Sequence, residues 1–153
     1  MPTLTETVTV PAEPDEVCEF FRHPQAVLDA SDPSVGAAIV SAPERLSAGD
    51  RVELKLVAFG MPQSVTNEIV EADFPHRFVE SQVDGPLGSY RHEHRFEAAD
   101  GGTRVTDEIT FEKPGGLAGL LMTDEKLEEQ LADSIAYRNR RLADAVAAFA
   151  AGR

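Results

Sequence analysis

The sequence contains a single cysteine, Cys18, and no tryptophan. One cysteine excludes an internal disulfide, and the neighbours Val17, Phe20 and Phe21 favour a small buried hydrophobe over a reactive thiol. No run of about 18 apolar residues is present, which excludes a membrane-spanning helix. The first ten residues lack the basic start and apolar core of a signal peptide, so we expect a cytoplasmic protein.

Positive charge is also scarce. The sequence has 14 lysines and arginines and 27 acidic residues, which gives a net charge of -13. Such a surface repels a phosphate backbone, so we do not expect a nucleic-acid partner. The excess of acid also keeps a protein in solution and carries no further functional information. The length predicts a single domain over residues 1–153 with a sizeable core, and it leaves monomer and homodimer both open.

Residues 88–112 are the most informative stretch and predict a β-hairpin whose turn is Asp100-Gly101. Asp-Gly between two alternating runs favours a type I′ turn, in which both central residues have positive φ. This turn fixes the register of the two strands. The pairs predicted on one face are Phe96 with Val105, His94 with Asp107, His92 with Ile109 and Tyr90 with Phe111.

That face of the hairpin is apolar except for His92, His94 and Asp107. The other face, which runs through residues 91–97 and 104–112, carries mixed charges and is predicted to be a solvated ladder. Buried polar groups are costly unless they are paired, so an inward-pointing polar trio marks a candidate pocket.

The pattern in the rest of the chain predicts one strand, two short helices, further strands linked by short loops, and a long final helix. Pro14 opens the first short helix, and His23-Pro24 breaks it. The strands are predicted over residues 3–10, 35–41, 51–59, 63–72 and 77–83, with a turn at Gly60-Met61-Pro62.

Thr123 is the predicted N-cap of the final helix, which runs to about residue 151. Its apolar stripe is Leu127, Leu131, Ile135, Leu142, Val146 and Phe149. We interpret Arg138, Arg140 and Arg141 as a solvated face or as partners for the acidic surface. The apolar loop 117–122 is predicted to form a lid over a cavity or to pack under the helix N-terminus.

Two segments are similar to a known family: F-V-E-S-Q-V-D-G-P-L-G-S-Y-R-H-E-H-R-F at residues 78–96 and G-T-R-V-T-D-E-I-T-F-E-K-P at residues 102–114. With residues 137–142 and the element order, they make the whole chain resemble the START/Bet v 1-like superfamily, the SRPBCC or polyketide cyclase/dehydrase-like ligand-binding proteins. Small bacterial members tend to carry an aromatic residue where Tyr90 stands.

The resemblance implies an α+β helix-grip fold. In it, a curved seven-stranded antiparallel β-sheet wraps around a long C-terminal α-helix, with two short helices between strands 1 and 2. It also implies an internal cavity for a hydrophobic ligand, and it places Glu80 and Gln82 inside that cavity.

We therefore expect the protein to bind a small hydrophobic ligand of lipid, polyketide or aromatic type between the sheet and the helix, without a cofactor. The predicted ligand-binding residues are Tyr90, His92, His94, Phe96, Glu80, Gln82, Ile109, Phe111, Leu131 and Ile135. The third hypothesis, after the enzyme described next, is an accessory protein that acts through a protein partner.

A further hypothesis is a cofactor-independent cyclase or dehydratase. There, Asp107 would raise the basicity of His94 as a general base, and His92 or Tyr90 would polarise a carbonyl. The competing interpretation is that His94 and Asp107 only satisfy each other across the strands.

The His92-x-His94 spacing is also compatible with a metal site, because two imidazoles at i and i+2 share one face of a strand. The sequence offers only Asp107 as an obvious third ligand on that face, since Glu97 lies on the other face. His23 and His76 lie in turns. We therefore predict no metal.

Overall fold

The computed structural model describes residues 1–153 and has the predicted helix-grip architecture. Its strands are β1 (Thr3–Val10), β2 (Ala38–Ser41), β3 (Arg51–Ala58), β4 (Met61–Asp73), β5 (Arg77–Asp84), β6 (Ser89–Ala99) and β7 (Gly102–Glu112). Its helices are α1 (Pro14–Phe21), α2 (Pro24–Asp29), α3 (Gly116–Leu121) and α4 (Asp124–Ala151). None of them combines the length and apolar character that a membrane span needs.

All seven strands form one antiparallel sheet in the order β1-β7-β6-β5-β4-β3-β2. The register shifts in β2 and at two places in β4. Such irregularities bend a strand and increase its twist, which helps the sheet to curve around α4. Strand β2 is shorter than the strand predicted over residues 35–41, because Pro33–Val35 form a turn of 3₁₀-helix before it.

The central hairpin of β6 and β7 has the predicted register, with His94 opposite Asp107 and His92 opposite Ile109. The predicted type I′ turn is wrong, because Asp100 does not have positive φ. Gly101 and Gly102 take φ of 85° and 142° instead, since glycine adopts these conformations without a Cβ clash.

The turn between β3 and β4 lies one residue earlier than predicted. Phe59 and Gly60 form it with φ of 56° and 75°, and Met61 and Pro62 already pair with β3. Positive φ at both central positions matches the twist of a two-residue hairpin. Phenylalanine rarely adopts it, which is why the sequence did not point to this turn.

The outer face of the central hairpin is less exposed than the predicted solvated ladder. Glu93 and Thr106 are buried there. Glu93 accepts a hydrogen bond of 2.7 Å from Arg77 Nε and one from Arg95. One guanidinium group from β5 and one from β6 itself thus cover a carboxylate that the alternation pattern assigned to solvent.

Helix α4 packs on two separate apolar clusters. Thr123 caps it, with its hydroxyl oxygen accepting from the Lys126 amide at 3.1 Å, as predicted. Its N-terminal half joins the cluster Leu4, Ile109, Phe111, Leu127 and Ile135. Its C-terminal half joins a cluster that includes Val10, Val17, Phe20, Phe21, Phe78, Phe96, Val105, Leu142 and Val146.

Candidate functional site

A polar cluster lies between the two apolar clusters. On β7, Asp107 stands between Val105 and Ile109, which belong to different clusters. On α4, Arg138 stands between Ile135 and Leu142 in the same way. The inward face of β6 contributes His92 and His94 at this level, so three elements bring ionisable side chains together inside the fold.

Asp107 is held chiefly by Arg138 and His92. Its Oδ1 accepts hydrogen bonds from Arg138 Nη1 at 3.1 Å and from His92 Nε2 at 2.8 Å, and its Oδ2 accepts from Arg138 Nη2. Burial opposes ionisation of Asp107, but Arg138 and the histidines outweigh burial and hold its pKa well below the usual range. The interpretation of Arg138 as a solvated residue is therefore wrong, because its side chain is buried and pairs with this carboxylate.

The hydrogen bond to Asp107 fixes the tautomer of His92. An ionised carboxylate only accepts, so His92 Nε2 carries the proton and Nδ1 of the neutral ring is an acceptor. Burial and the neighbouring His94 lower the pKa of His92, which favours this neutral form. The Tyr90 hydroxyl, 3.1 Å from His92 Nδ1, consequently donates its proton to that nitrogen.

His94 lies directly opposite Asp107 but is not its main partner. Its Nδ1 is 3.2 Å from Asp107 Oδ1, yet neither ring nitrogen makes a hydrogen bond of acceptable geometry. The ring stacks between Phe78, with centroids 4.5 Å apart, and His92, at 3.9 Å. The expected His94–Asp107 pair thus exists as a contact, while the hydrogen bonds of Asp107 go to other residues.

Glu80 on β5 completes the cluster from the neighbouring strand, where it pairs with His92 in the register. Its two carboxylate oxygens are 3.8 Å from His92 Nδ1 and 3.8 Å from His94 Nε2. Burial raises the pKa of Glu80, but the two histidines outweigh burial and lower it. Burial likewise opposes a charged His94, but Asp107 and Glu80 outweigh it and raise the pKa of His94.

The cluster faces a cavity between the sheet and α4. An inner chamber of about 250 Å³ is lined by His92, His94 and Arg138 together with apolar residues of α1, α2 and the sheet. An outer chamber of about 370 Å³ lies towards the β3–β4 turn and the N-terminal half of α4. Both chambers share the lining residues Val35, Leu54, Asn67, Glu80 and Ser134.

The structure divides the predicted ligand-binding residues into two groups. The cavity is lined by Tyr90, His92, His94, Glu80, Gln82, Leu131 and Ile135. Phe96, Ile109 and Phe111 line neither chamber, because they are packed in the apolar clusters. These three residues therefore support the site from behind.

The sequence analysis did not identify two of the polar residues that line the cavity. Asn67 on β4 lines both chambers, and its buried Oδ1 has no hydrogen-bond partner. Ser134 lies on the cavity side of α4. The signal for Asn67 was its place in the alternation of β4 between the lining residue Val65 and the buried Ile69.

Helix α3 lies beside the outer end of the cavity. Its Leu117, Leu120 and Leu121 are 79%, 79% and 83% exposed, so they do not pack under the N-terminus of α4. Leu121 lines a surface groove together with Phe59 and Pro86, which also line the outer chamber. The predicted loop is thus a short helix with an exposed apolar face close to the cavity.

A family model described as polyketide cyclase/dehydrase and lipid transport matches residues 1–147. No curated protein matches the chain.

Several solved structures share the fold. TTHA0849 from Thermus thermophilus is 20% identical with a TM-score of 0.76, and the match covers 96% of this chain and 98% of that one. Protein Ms6760 from Mycobacterium smegmatis is 22% identical with a TM-score of 0.71, covering 96% and 92%. The major latex-like protein of Panax ginseng is 18% identical with a TM-score of 0.67, covering 94% and 95%. These matches confirm the predicted resemblance in fold.

Proposed function

The chain belongs to the polyketide cyclase/dehydrase and lipid transport family, and on this premise we propose that it binds a small hydrophobic ligand between the sheet and α4. The observation that supports this most strongly is the cavity itself. Its two adjoining chambers are lined mainly by apolar residues, and a few polar groups converge at one place. Ligand sites typically have this composition, with the polar groups fixing the orientation of the ligand.

The ligand we propose is elongated and carries one polar end. The apolar body would occupy the outer chamber against Leu54, Leu56 and Leu131. The polar end would lie where the chambers meet, near Glu80, His94 and Asn67. Asn67 Oδ1 and the ring nitrogens of His94 are buried without partners. A ligand hydroxyl that donates to Asn67 Oδ1, or a hydroxyl or carbonyl oxygen that accepts from the His94 ring, removes a desolvation cost.

The exposed leucines of α3 fit this function as an entrance. An apolar surface beside the outer chamber would contact a hydrophobic ligand before it enters. The same surface would also serve an accessory protein that acts through a partner. We favour the entrance, because Phe59 and Pro86 connect the leucine groove with the cavity.

The test is binding of the neutral dye Nile red to the purified protein and to Ser134→Phe. Ser134 lines both chambers, so a phenyl group there takes up part of the space that the ligand would occupy. We expect the affinity to fall by about tenfold or more, which corresponds to a loss of about 1.4 kcal/mol. The matched control is Ala147→Phe, which adds the same ring on the exposed side of α4. Equal affinities of the two variants would contradict the proposal.

A second candidate function is the cyclase or dehydratase chemistry. Glu80 and His94 favour it, since a carboxylate and an imidazole face each other at 3.8 Å beside the cavity. Either group can exchange a proton with a bound carbonyl compound. Asp107 is less suited to proton transfer, because Arg138 stabilises its charged form.

The two candidates differ in the effect of His94→Gln. If His94 acts as a general base, turnover of a carbonyl substrate falls by about 100 to 10,000-fold and ligand affinity stays within about tenfold. If the protein only binds, no carbonyl substrate is turned over and the variant changes affinity alone. His76→Gln is the control, because His76 is exposed in the turn before β5.

A further inference from the structure

Glu80, His92 and His94 bring three potential metal-ligating atoms to one place, all within 4.8 Å of one another. His92 Nδ1 and His94 Nε2 each lie 3.8 Å from an oxygen of Glu80. The ligand atoms of a tetrahedral ion with bonds of about 2.0 Å are roughly 3.3 Å apart. Two movements would bring the three ligand atoms to this distance. One is a small rotation of Glu80, whose side chain is 23% exposed, and the other is a separation of the stacked His92 and His94 rings.

The state of His94 independently indicates a missing partner. The residue is only 5% exposed, and neither ring nitrogen is hydrogen-bonded. Buried polar side-chain atoms in native proteins are almost always satisfied by protein, water or an ion. Nδ1 at least lies next to Asp107, whereas Nε2 has only the distant Glu80 oxygen at 3.8 Å. The unsatisfied nitrogen therefore points towards the other two ligands.

The outer contacts of His92 are those of a metal-binding histidine. Its Nε2 donates to Asp107, so Nδ1, which is 3.8 Å from Glu80, carries the ligating electron pair. The Tyr90 hydroxyl donates to this nitrogen at 3.1 Å, and a bound ion would replace that hydrogen bond. Ligating histidines usually donate their second ring N–H to a carboxylate in this way, which orients the ring and raises its basicity. Arg138 in turn fixes the Asp107 carboxylate. The cluster thus supplies both the ligands and the support behind one of them.

We propose that Glu80, His92 and His94 form a binding site for Zn²⁺ or a similar divalent transition ion. Two imidazoles and a carboxylate are a donor set that Zn²⁺ accepts, and three protein ligands leave a fourth position for water or substrate. All three residues line the inner chamber, so a water or a carbonyl or hydroxyl oxygen in that chamber could take the fourth position. The prediction of no metal considered Asp107 as third ligand and did not include Glu80, which the sheet brings in from β5.

The inference does not depend on the hydrophobic ligand, and the experiment uses the metal alone. Tag-free protein is treated with a chelator, dialysed and titrated with Zn²⁺ by calorimetry. We expect one ion per chain and a loss of affinity of about 100-fold or more in His94→Ala and in Glu80→Gln. His76→Ala, which removes an exposed histidine, should leave the titration unchanged.

A spectroscopic measurement on the unmodified protein keeps the test valid if a variant does not fold. In ¹⁵N NMR spectra of the histidine rings, Zn²⁺ should shift His92 Nδ1 and His94 Nε2 and leave His23 and His76 unchanged. The absence of stoichiometric binding, or a shift confined to His23 and His76, would overturn the site. Intact Nile red binding in the same sample would show that the proposed ligand function stands without it.

Discussion

Arg138 of the C-terminal helix and Asp107 of β7 form a buried ion pair in which both carboxylate oxygens accept hydrogen bonds from the guanidinium group. Their side chains are 5% and 1% exposed. Removal of two charges from water is costly, and only close mutual hydrogen bonding offsets the cost. This pair therefore connects the helix to the sheet at the level where the polar cluster meets the cavity.

Loss of one partner of this pair should be strongly destabilising. Arg138→Met leaves the Asp107 carboxylate buried without its main counter-charge, and we expect the free energy of unfolding to fall by about 3–5 kcal/mol. Urea denaturation measures the change. In the double variant Arg138→Met/Asp107→Leu, which leaves no unpaired charge, a large part of the stability should return.

The control for this experiment is Arg140→Met, two residues further along the helix on an exposed position. A surface substitution of this kind changes stability by about 0.5 kcal/mol or less. The account of the ion pair would be contradicted if Arg138→Met cost no more than Arg140→Met.

Glu93 should contribute to stability in a pH-dependent way. Burial raises the pKa of Glu93, but Arg77 and Arg95 outweigh burial and lower it below its ordinary value of 4.5. A carboxyl group with a lowered pKa in the folded state stabilises the fold above its unfolded pKa and loses this effect as the pH falls. Below about pH 4.5, the difference in unfolding free energy between the wild type and Glu93→Gln should therefore shrink.

Glu97→Gln is the matched control for the pH series. Glu97 lies on the same face of β6, and its contact with Arg104 is 3.7 Å long and about half exposed on both sides. Solvent screens such a pair, so we expect little difference from the wild type at any pH. A pH-independent gap between the wild type and Glu93→Gln would contradict the proposed role of the two arginines.

Two adjacent glycines in the central turn should differ in their tolerance of alanine. Gly101 has φ of 85° and open space at its Cβ position, so Gly101→Ala should cost only the backbone strain, about 1–2 kcal/mol. Gly102 has φ of 142°, and a Cβ there would lie 2.0 Å from the Val10 carbonyl oxygen. We expect Gly102→Ala to lower the thermal midpoint clearly more. An equal or smaller shift would be incompatible with the close approach of β1 to this turn.

The register of the central hairpin followed from the sequence because a two-residue turn leaves only one way to pair the strands. The same reasoning placed His92, His94 and Asp107 on one inward face, where the structure has them. It did not reveal which of these groups bond to each other. The diagonal hydrogen bond from His92 to Asp107 depends on ring orientation, which the pattern of residues does not specify.

Arg138 was missed because its charge suggested solvent. The apolar stripe of α4 nevertheless contained the signal, since Ile135 and Leu142 are seven residues apart and Arg138 fills the helical position between them. An inward-facing carboxylate needs a counter-charge, and no lysine or arginine lies on the hairpin face of Asp107. Together, these two observations would have pointed to Arg138 as the partner.

The place of Glu80 within the cluster could not be derived from local turn rules. The connection between β5 and β6 covers residues 85–88, which is too long for a two-residue turn to fix the register. The pairing of Glu80 with His92 follows from the sheet as a whole. The resemblance placed Glu80 inside, but its distance from the histidines became visible only in the folded chain.

The proposed ligand cavity is tested most directly by native mass spectrometry of the protein purified from its own source. The account predicts a wild-type chain that carries a small hydrophobic compound, which extraction then identifies. The compound should be lost in Ser134→Phe, where the added ring intrudes where the two chambers meet, and kept in Ala147→Phe. A compound retained equally by Ser134→Phe, or an empty wild-type chain that also fails to take up Nile red, would contradict the account.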